Sequence, residues 1–260
     1  MKDSTALPHL EMLPTDALVL HEECDPRRVE KLCQRIRDDA HLKHPPIVAA
    51  LPETDRFVVL DGANRTMSLR ALRIPHVVAQ VVSYGDPGVE LGTWHHVVAG
   101  MRLDDFEKGL TEVDRLNLHD CTLDEARAAI ATGDAAAYIV CASGVRKVVS
   151  ENGSRARDIH LLTDLVGVYK GRADIFRASN DIWEIQAPFY PNITALIVFP
   201  PYSPADIMML ARRGEKVPTG VTRHVIPNRA LYINIPLDVL GADWTLERKR
   251  EWLRQWLMEQ

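Results

Sequence analysis

The sequence predicts a mixed α/β fold, of the α+β kind, in two parts: an N-terminal unit over residues 1–88 and a larger mixed α/β part over residues 89–260. Three observations carry this expectation. Between residues 25 and 82 the apolar spacing changes in the order helix, strand, strand, helix, strand. Gly85-Asp86-Pro87-Gly88 then breaks the pattern. Beyond it, amphipathic windows alternate with short continuous apolar runs such as Ile193–Phe199.

The elements follow in order. Over 25–40, Val29, Leu32, Cys33 and Ile36 make one helical face, with Asp25 as N-cap and Pro26 in the first turn. His44-Pro45-Pro46 forbids continuation, so Ile47–Leu51 and Arg56–Leu60 read as strands joined through a turn. DGANR at 61–65 leads into a helix over Thr66–Leu72, and Pro75 bounds a strand over His76–Val82. Residues 101–132 read as largely helical, with LTEVD and TLDEARAAI as capped starts. Strands are expected at Ala135–Cys141, Lys147–Ser150, Ile193–Phe199, Arg223–Ile226 and Leu231–Ile235. Helices are expected over Arg155–Tyr169, after Ser203-Pro204, and over Thr245–Glu259, where Trp252 and Trp256 lie one turn apart.

Composition narrows the function classes. The 260 residues are 46% hydrophobic and 26% charged, ordinary values for a globular chain, so a disordered or fibrous chain is excluded. The formal charge of −5 gives no global basic field, and a nucleic-acid partner is not expected. No apolar run reaches membrane-spanning length, and the first residues lack the pattern of a secretory signal. A cytoplasmic protein without a membrane partner is the expectation. Cys24, Cys33, Cys121 and Cys141 are widely spaced and form no C-x-x-C pair, which points to reduced thiols.

The most informative stretch is FVVLDGANRTMSLRALRIPHVVAQVV, 57–82. A strand delivers Asp61 and Gly62 to a tight loop, and a helix begins at once. Amides at a helix start carry partial positive charge and favour an anion. Gly62, Ala63, Asn64, Arg65 and Thr66 are therefore candidates to surround a phosphate. Asn64 adds a side-chain amide and Arg65 a bidentate fork, while Asp61 can hold a divalent metal beside the phosphate.

Strand, D-G-x-x-R, helix, L-x-I-P turn and strand together resemble the ParB/sulfiredoxin superfamily, whose loop is commonly D-G-H-H-R; Ala63 and Asn64 stand here for the two histidines. LVLHEECDPRRVEKLCQRIRDDAHLKHPPIVA resembles the same family's H-E element, helix and P-I-V strand. Within the superfamily the likeness is to free L-serine kinases, carried by Glu22-Glu23 after His21, by TWHHVV at 93–98 and by PTGVTRHVIPNRALYINIPLDVL at 218–240.

That resemblance implies a kinase that transfers a phosphoryl group from ATP or ADP, with Mg2+, to the hydroxyl of free L-serine. Its base falls in the Glu22-Glu23 doublet, with Glu22 as the first candidate, and Asp61 joins it in catalysis. Thr222, His224 and Arg229 would capture the amino acid, and Trp94 would wall its pocket or donate its indole N–H. Thr222 and His224 alternate, so on a strand they share a face. His95 and His96 are adjacent and point to opposite faces, which argues against a shared metal.

Two other classes fit less well. A nucleotide-responsive DNA-binding regulator needs a helix-turn-helix with a basic recognition helix, and residues 101–132 are helical by pattern but acidic. A sulfiredoxin-like reductase needs a cysteine beside the phosphate loop, and none occurs between Cys33 and Cys121.

Overall fold

The computed structural model describes residues 7–150 and 158–259, arranged as two compact units. One comprises residues up to 91 together with 204–216 and 224–260; the other comprises 92–203 and 217–223.

The first unit opens with β1 (Leu10–Pro14) and β2 (Leu18–Leu20), then α1 (Pro26–Asp39) and β3 (His41–Leu42). Next come β4 (Ile47–Ala50), β5 (Phe57–Asp61), α2 (Ala63–Ala71) and β6 (His76–Val82). The sheet runs β1-β6-β4-β5-β2, with β2–β5 and β4–β6 parallel and the other pairs antiparallel. Asp25 caps α1 by accepting from the amides of Arg27 and Arg28, and Pro26 fills the first turn, where no amide is needed. Between β4 and β5 the register shifts: Ile47 faces Asp61 while Val48 faces Val59, which leaves Leu60 as the extra residue of a bulge. Such a bulge twists the strand end and re-aims the residue after it, here Asp61.

In the second unit β7 (His95–Ala99) precedes α3 (Leu103–Thr111), β8 (Leu116–Cys121), α4 (Leu123–Thr132), β9 (Ala137–Cys141) and β10 (Gly144–Ser150). Then come α5 (Ile159–Gly167), β11 (Asp174–Ala178) and β12 (Ile193–Val198). The six strands form one antiparallel sheet in the order β11-β7-β12-β9-β10-β8. Its core includes Val97, Ala126, Tyr138, Leu196 and Val198.

The later segments are α6 (Pro204–Arg213), β13 (Thr222–Val225), β14 (Ile235–Pro236), α7 (Leu237–Gly241) and α8 (Leu246–Met258). Ile235, Leu240 and Leu253 enter the same core as Leu18, Val59, Leu69 and Val77, so the chain's C-terminus completes the first unit. Each such fully buried aliphatic side chain contributes roughly 1.5–3 kcal/mol.

Three expectations are corrected. Residues 101–132 are not a helical run: α3 and α4 are separated by strand β8, which pairs with β10, so no helix-turn-helix exists there. The capped start at Thr122 holds, with a full capping box to Glu125, whereas Thr111 ends a helix instead of starting one. Leu231–Ile235 is no strand, because Tyr232 (φ 55) and Asn234 (φ 48) are left-handed; pairing begins only at Ile235. The expected helix over Arg155–Tyr169 is seen as α5, its first expected turn lying outside the described residues. Among the described residues no helix is long and apolar enough to cross a membrane.

Candidate active site

The loop after β5 forms as its residue types require. Gly62 stands at φ +98, a conformation L side chains rarely adopt, and a Cβ there would lie 3.1 Å from Pro46 Cα and 3.3 Å from Arg65 Cζ. The left-handed turn starts α2 at Ala63, three residues before the expected Thr66. The first helical bond runs from the Thr66 amide to the Gly62 carbonyl at 2.9 Å, so the amides of Ala63, Asn64 and Arg65 precede the ladder and form the dipole's positive end.

Asp61 sits beside that end and binds two guanidiniums, Arg65 at 3.3 Å and Arg229 in a closer contact. Arg65 also donates Nη1 to the carbonyls of His44 and Pro45, both at 2.8 Å. Burial pulls its guanidinium pKa down, opposed by the Asp61 charge. Arg65 is therefore anchored within the loop, while Arg229 is the more exposed of the two arginines. Asn64 turns its carbonyl oxygen back to accept from the Asp25 amide at 3.1 Å, tying α2 to the start of α1. Thr66 is wholly buried, and its amide is in the helix ladder.

Glu22 lies on the segment between β2 and α1, half-buried, as is Glu23. Arg70 of α2 steadies the approach to it by donating to the carbonyls of Thr15 and Leu18. The preceding His21 is buried, donates Nδ1–H to the Val59 carbonyl at 2.8 Å, and sets its ring edge-on to His224 at 5.4 Å. His224 meets the Tyr84 hydroxyl through Nε2 at 2.7 Å. Burial, with the proximity of His224, holds His21 neutral to about pH 3; burial holds His224 neutral to about 4, although Asp61 pulls the other way.

Asp61, Gly62, Ala63, Asn64, Arg65, His224 and Arg229 thus belong to one unit, as does Glu22. Trp94 and Thr222 belong to the other. Trp94 is half-buried, its amide bonds the Val221 carbonyl at 2.8 Å, and Arg223 stacks over its ring at 4.4 Å. Thr222 is buried, and a strand covers Thr222–Val225 as the alternation required. His96 bonds the Tyr169 hydroxyl at 2.8 Å and His95 accepts from the Phe199 amide at 3.3 Å, so both serve packing. Among the described residues no three His, Cys, Asp or Glu side chains gather as a metal group.

Two polar residues escaped the sequence reading. Tyr84 lies in a turn-rich stretch that reads as a linker, and Gln80 hides inside the apolar run HVVAQVV. The signal for Gln80 was that lone carboxamide in a buried strand, since a buried amide requires partners.

No family model matches the chain. It is 29% identical over 94% of its length, and 89% of the relative's, to the ATP-dependent L-serine kinase SbnI of Staphylococcus aureus. It is 26% identical over 89% of its length, and 92% of the relative's, to an ATP-dependent L-serine kinase of Staphylothermus marinus. A solved structure of C-terminally truncated SbnI superposes with a TM-score of 0.76 at 27% identity, covering 96% of each chain. A free serine kinase in complex with AMP shares the fold, with a TM-score of 0.78 at 18% identity over 91% of this chain and 95% of that one. In sequence, over about nine-tenths of its length, and in fold, the chain is similar to these L-serine kinases.

Proposed function

We propose that this protein transfers a phosphoryl group from ATP or ADP to the hydroxyl of free L-serine, giving O-phospho-L-serine. The observation that carries the reading is the convergence of three groups at one helix start: the leading amides of α2, the Asp61 carboxylate and the Arg229 guanidinium. Phosphoryl transfer needs little covalent chemistry from the protein and relies on such placed charges. The whole-length likeness to L-serine kinases supplies the acceptor.

In this reading Glu22 takes the serine proton as the hydroxyl oxygen bonds to the terminal phosphorus, and the P–O bond to the departing nucleotide breaks. The Ala63, Asn64 and Arg65 amides receive the charge that develops on phosphate oxygens, and Arg229, which the resemblance assigned to amino-acid capture, is moved in this reading to the phosphate because its guanidinium pairs with Asp61 at the loop. Asp61 would hold magnesium arriving with the nucleotide, and the ion would neutralise charge on the phosphates. A single carboxylate fits, because magnesium in nucleotide sites takes one or two carboxylates and fills the rest with phosphate and water. His224 is assigned to serine capture within the loop-bearing unit; Trp94 and Thr222 are assigned to serine by resemblance alone.

Purified protein incubated with magnesium, each free amino acid and ATP or ADP is expected to yield phosphoserine from serine alone. Glu22→Ala is expected to abolish it. Absence of transfer with either donor, or unchanged transfer in Glu22→Ala, overturns the reading.

A further inference from the structure

Gln80 is 2% exposed in the middle of β6, and both ends of its carboxamide reach across to one short segment of the same unit. Its Nε2 donates to the Asn228 carbonyl at 3.1 Å, and its Oε1 accepts from the Ala230 amide at 2.9 Å. The residue between those two contacts is Arg229, whose guanidinium binds Asp61. The fork thus imitates one rung of a β-ladder and holds the backbone on either side of the arginine.

The sheet register explains why this brings Arg229 to Asp61. Ile47 of β4 pairs with Gln80 on one side and with Asp61 on the other, so the three stand in one cross-strand row. Paired residues in such a row share a face. A segment clamped over Gln80 therefore lies two strands, roughly 10 Å, from the Asp61 end of the row, a span the Arg229 and Asp61 side chains close between them. Asn228 adopts φ 48, a left-handed turn that asparagine tolerates well and that directs the chain past Gln80. The main chain of Gln80 joins the same frame, since its amide bonds the carbonyl of Pro46, next to the Pro45 that holds Arg65.

We propose that Gln80 is a positioning residue for phosphoryl transfer, its carboxamide clamping residues 228–230 so that Arg229 is delivered to Asp61 and the nucleotide phosphate. This rests on the kinase reading for its functional half; the clamp itself does not depend on it. Gln80→Met keeps the length and apolar stem and removes both hydrogen bonds.

Two measurements test the proposal. Hydrogen exchange on the ligand-free protein is expected to show the Ala230 amide protected in the wild type and fast in Gln80→Met, with protection elsewhere in β6 retained. Steady-state phosphoserine formation is expected to fall by roughly 10- to 100-fold in Gln80→Met and in Arg229→Ala, with the double variant no worse than Arg229→Ala alone. Losses that multiply in the double variant, or an Ala230 amide equally protected in Gln80→Met, overturn the proposal. Should Gln80→Met fail to fold, Gln80→Leu, which likewise lacks the carboxamide, replaces it in the same cycle with the same criteria. A wild-type enzyme that makes no phosphoserine overturns the kinase reading alone and leaves the exchange result to decide the clamp.

Discussion

The Tyr84 hydroxyl lies 2.7 Å from Nε2 of His224, and burial drives the two groups toward a shared neutral state. It raises the phenol well above its ordinary range and lowers the imidazole to about 4. With the phenol as donor, Nε2 accepts and the ring proton sits on Nδ1. Tyr84→Phe removes a hydrogen bond that favours neutral imidazole, so the His224 pKa is expected to rise by about one pH unit. Titration of the histidine ring signals by NMR checks this, and a value still near 4 would contradict the donor assignment.

Acid should weaken the fold before carboxylates matter. Burial is the first cause lowering His21 to about 3 and His95, His96 and His224 to about 4, from an ordinary 6.5. The unfolded chain takes up these protons near pH 6.5 while the folded chain refuses them to about pH 4. Stability is therefore full above 6.5 and is lost as pH falls from 6.5 to 4. Each histidine adds about 1.4 kcal/mol per pH unit within its window. Urea unfolding at pH 7.5, 6.5 and 5.5 measures the slope, and a flat profile would show that the rings titrate in the folded chain as they do in the unfolded one.

Gly62→Ala is expected to cost about 1–3 kcal/mol from the positive φ alone. The new Cβ also presses on Arg65 and Pro46, so the α2 amides should turn away from phosphate. Thermal melting reads the first effect and calorimetric titration with ADP and magnesium the second. Wild-type affinity in the variant would show that the loop amides do not bind phosphate.

Lys249 offers a control away from the loop. It is fully buried in α8, donates Nζ to the Leu240 carbonyl at 2.6 Å, and burial lowers its pKa. Lys249→Met keeps the stem but leaves that carbonyl without its donor, at a cost of about 1–3 kcal/mol. Urea denaturation should show the loss, while the folded fraction keeps its specific activity.

Legibility followed the range of the interactions. Asp25-Pro26, the strand His76–Val82 and the loop at 61–65 were readable because caps, periodicity and Gly62 act within a few residues. The alternation of Thr222 and His224 was readable for the same reason. Strand β8 was missed because LNLHDC lies between two helical patterns and gains its conformation from pairing with β10. Tyr232 and Asn234 broke the expected strand because their left-handed backbone belongs to a segment held by His44 and Gln80, far away in sequence. Arg65 could be assigned to the loop but not to the His44 and Pro45 carbonyls, which only the sheet brings within reach. The clamp by Gln80 was illegible for the same reason, since it joins residues 150 positions apart.

The carboxylate of Asp61, already seated on Arg65 and Arg229, gives the loop its own tethered competitor. A single small anion such as chloride or acetate must displace a group whose covalent attachment gives it a high effective concentration. A polyphosphate answers with several charges at once and can claim the arginine and the helix amides together. Under the kinase reading, the pairing is expected to discriminate by valence, with monoanions disfavoured by a residue that the phosphate chain is equipped to replace.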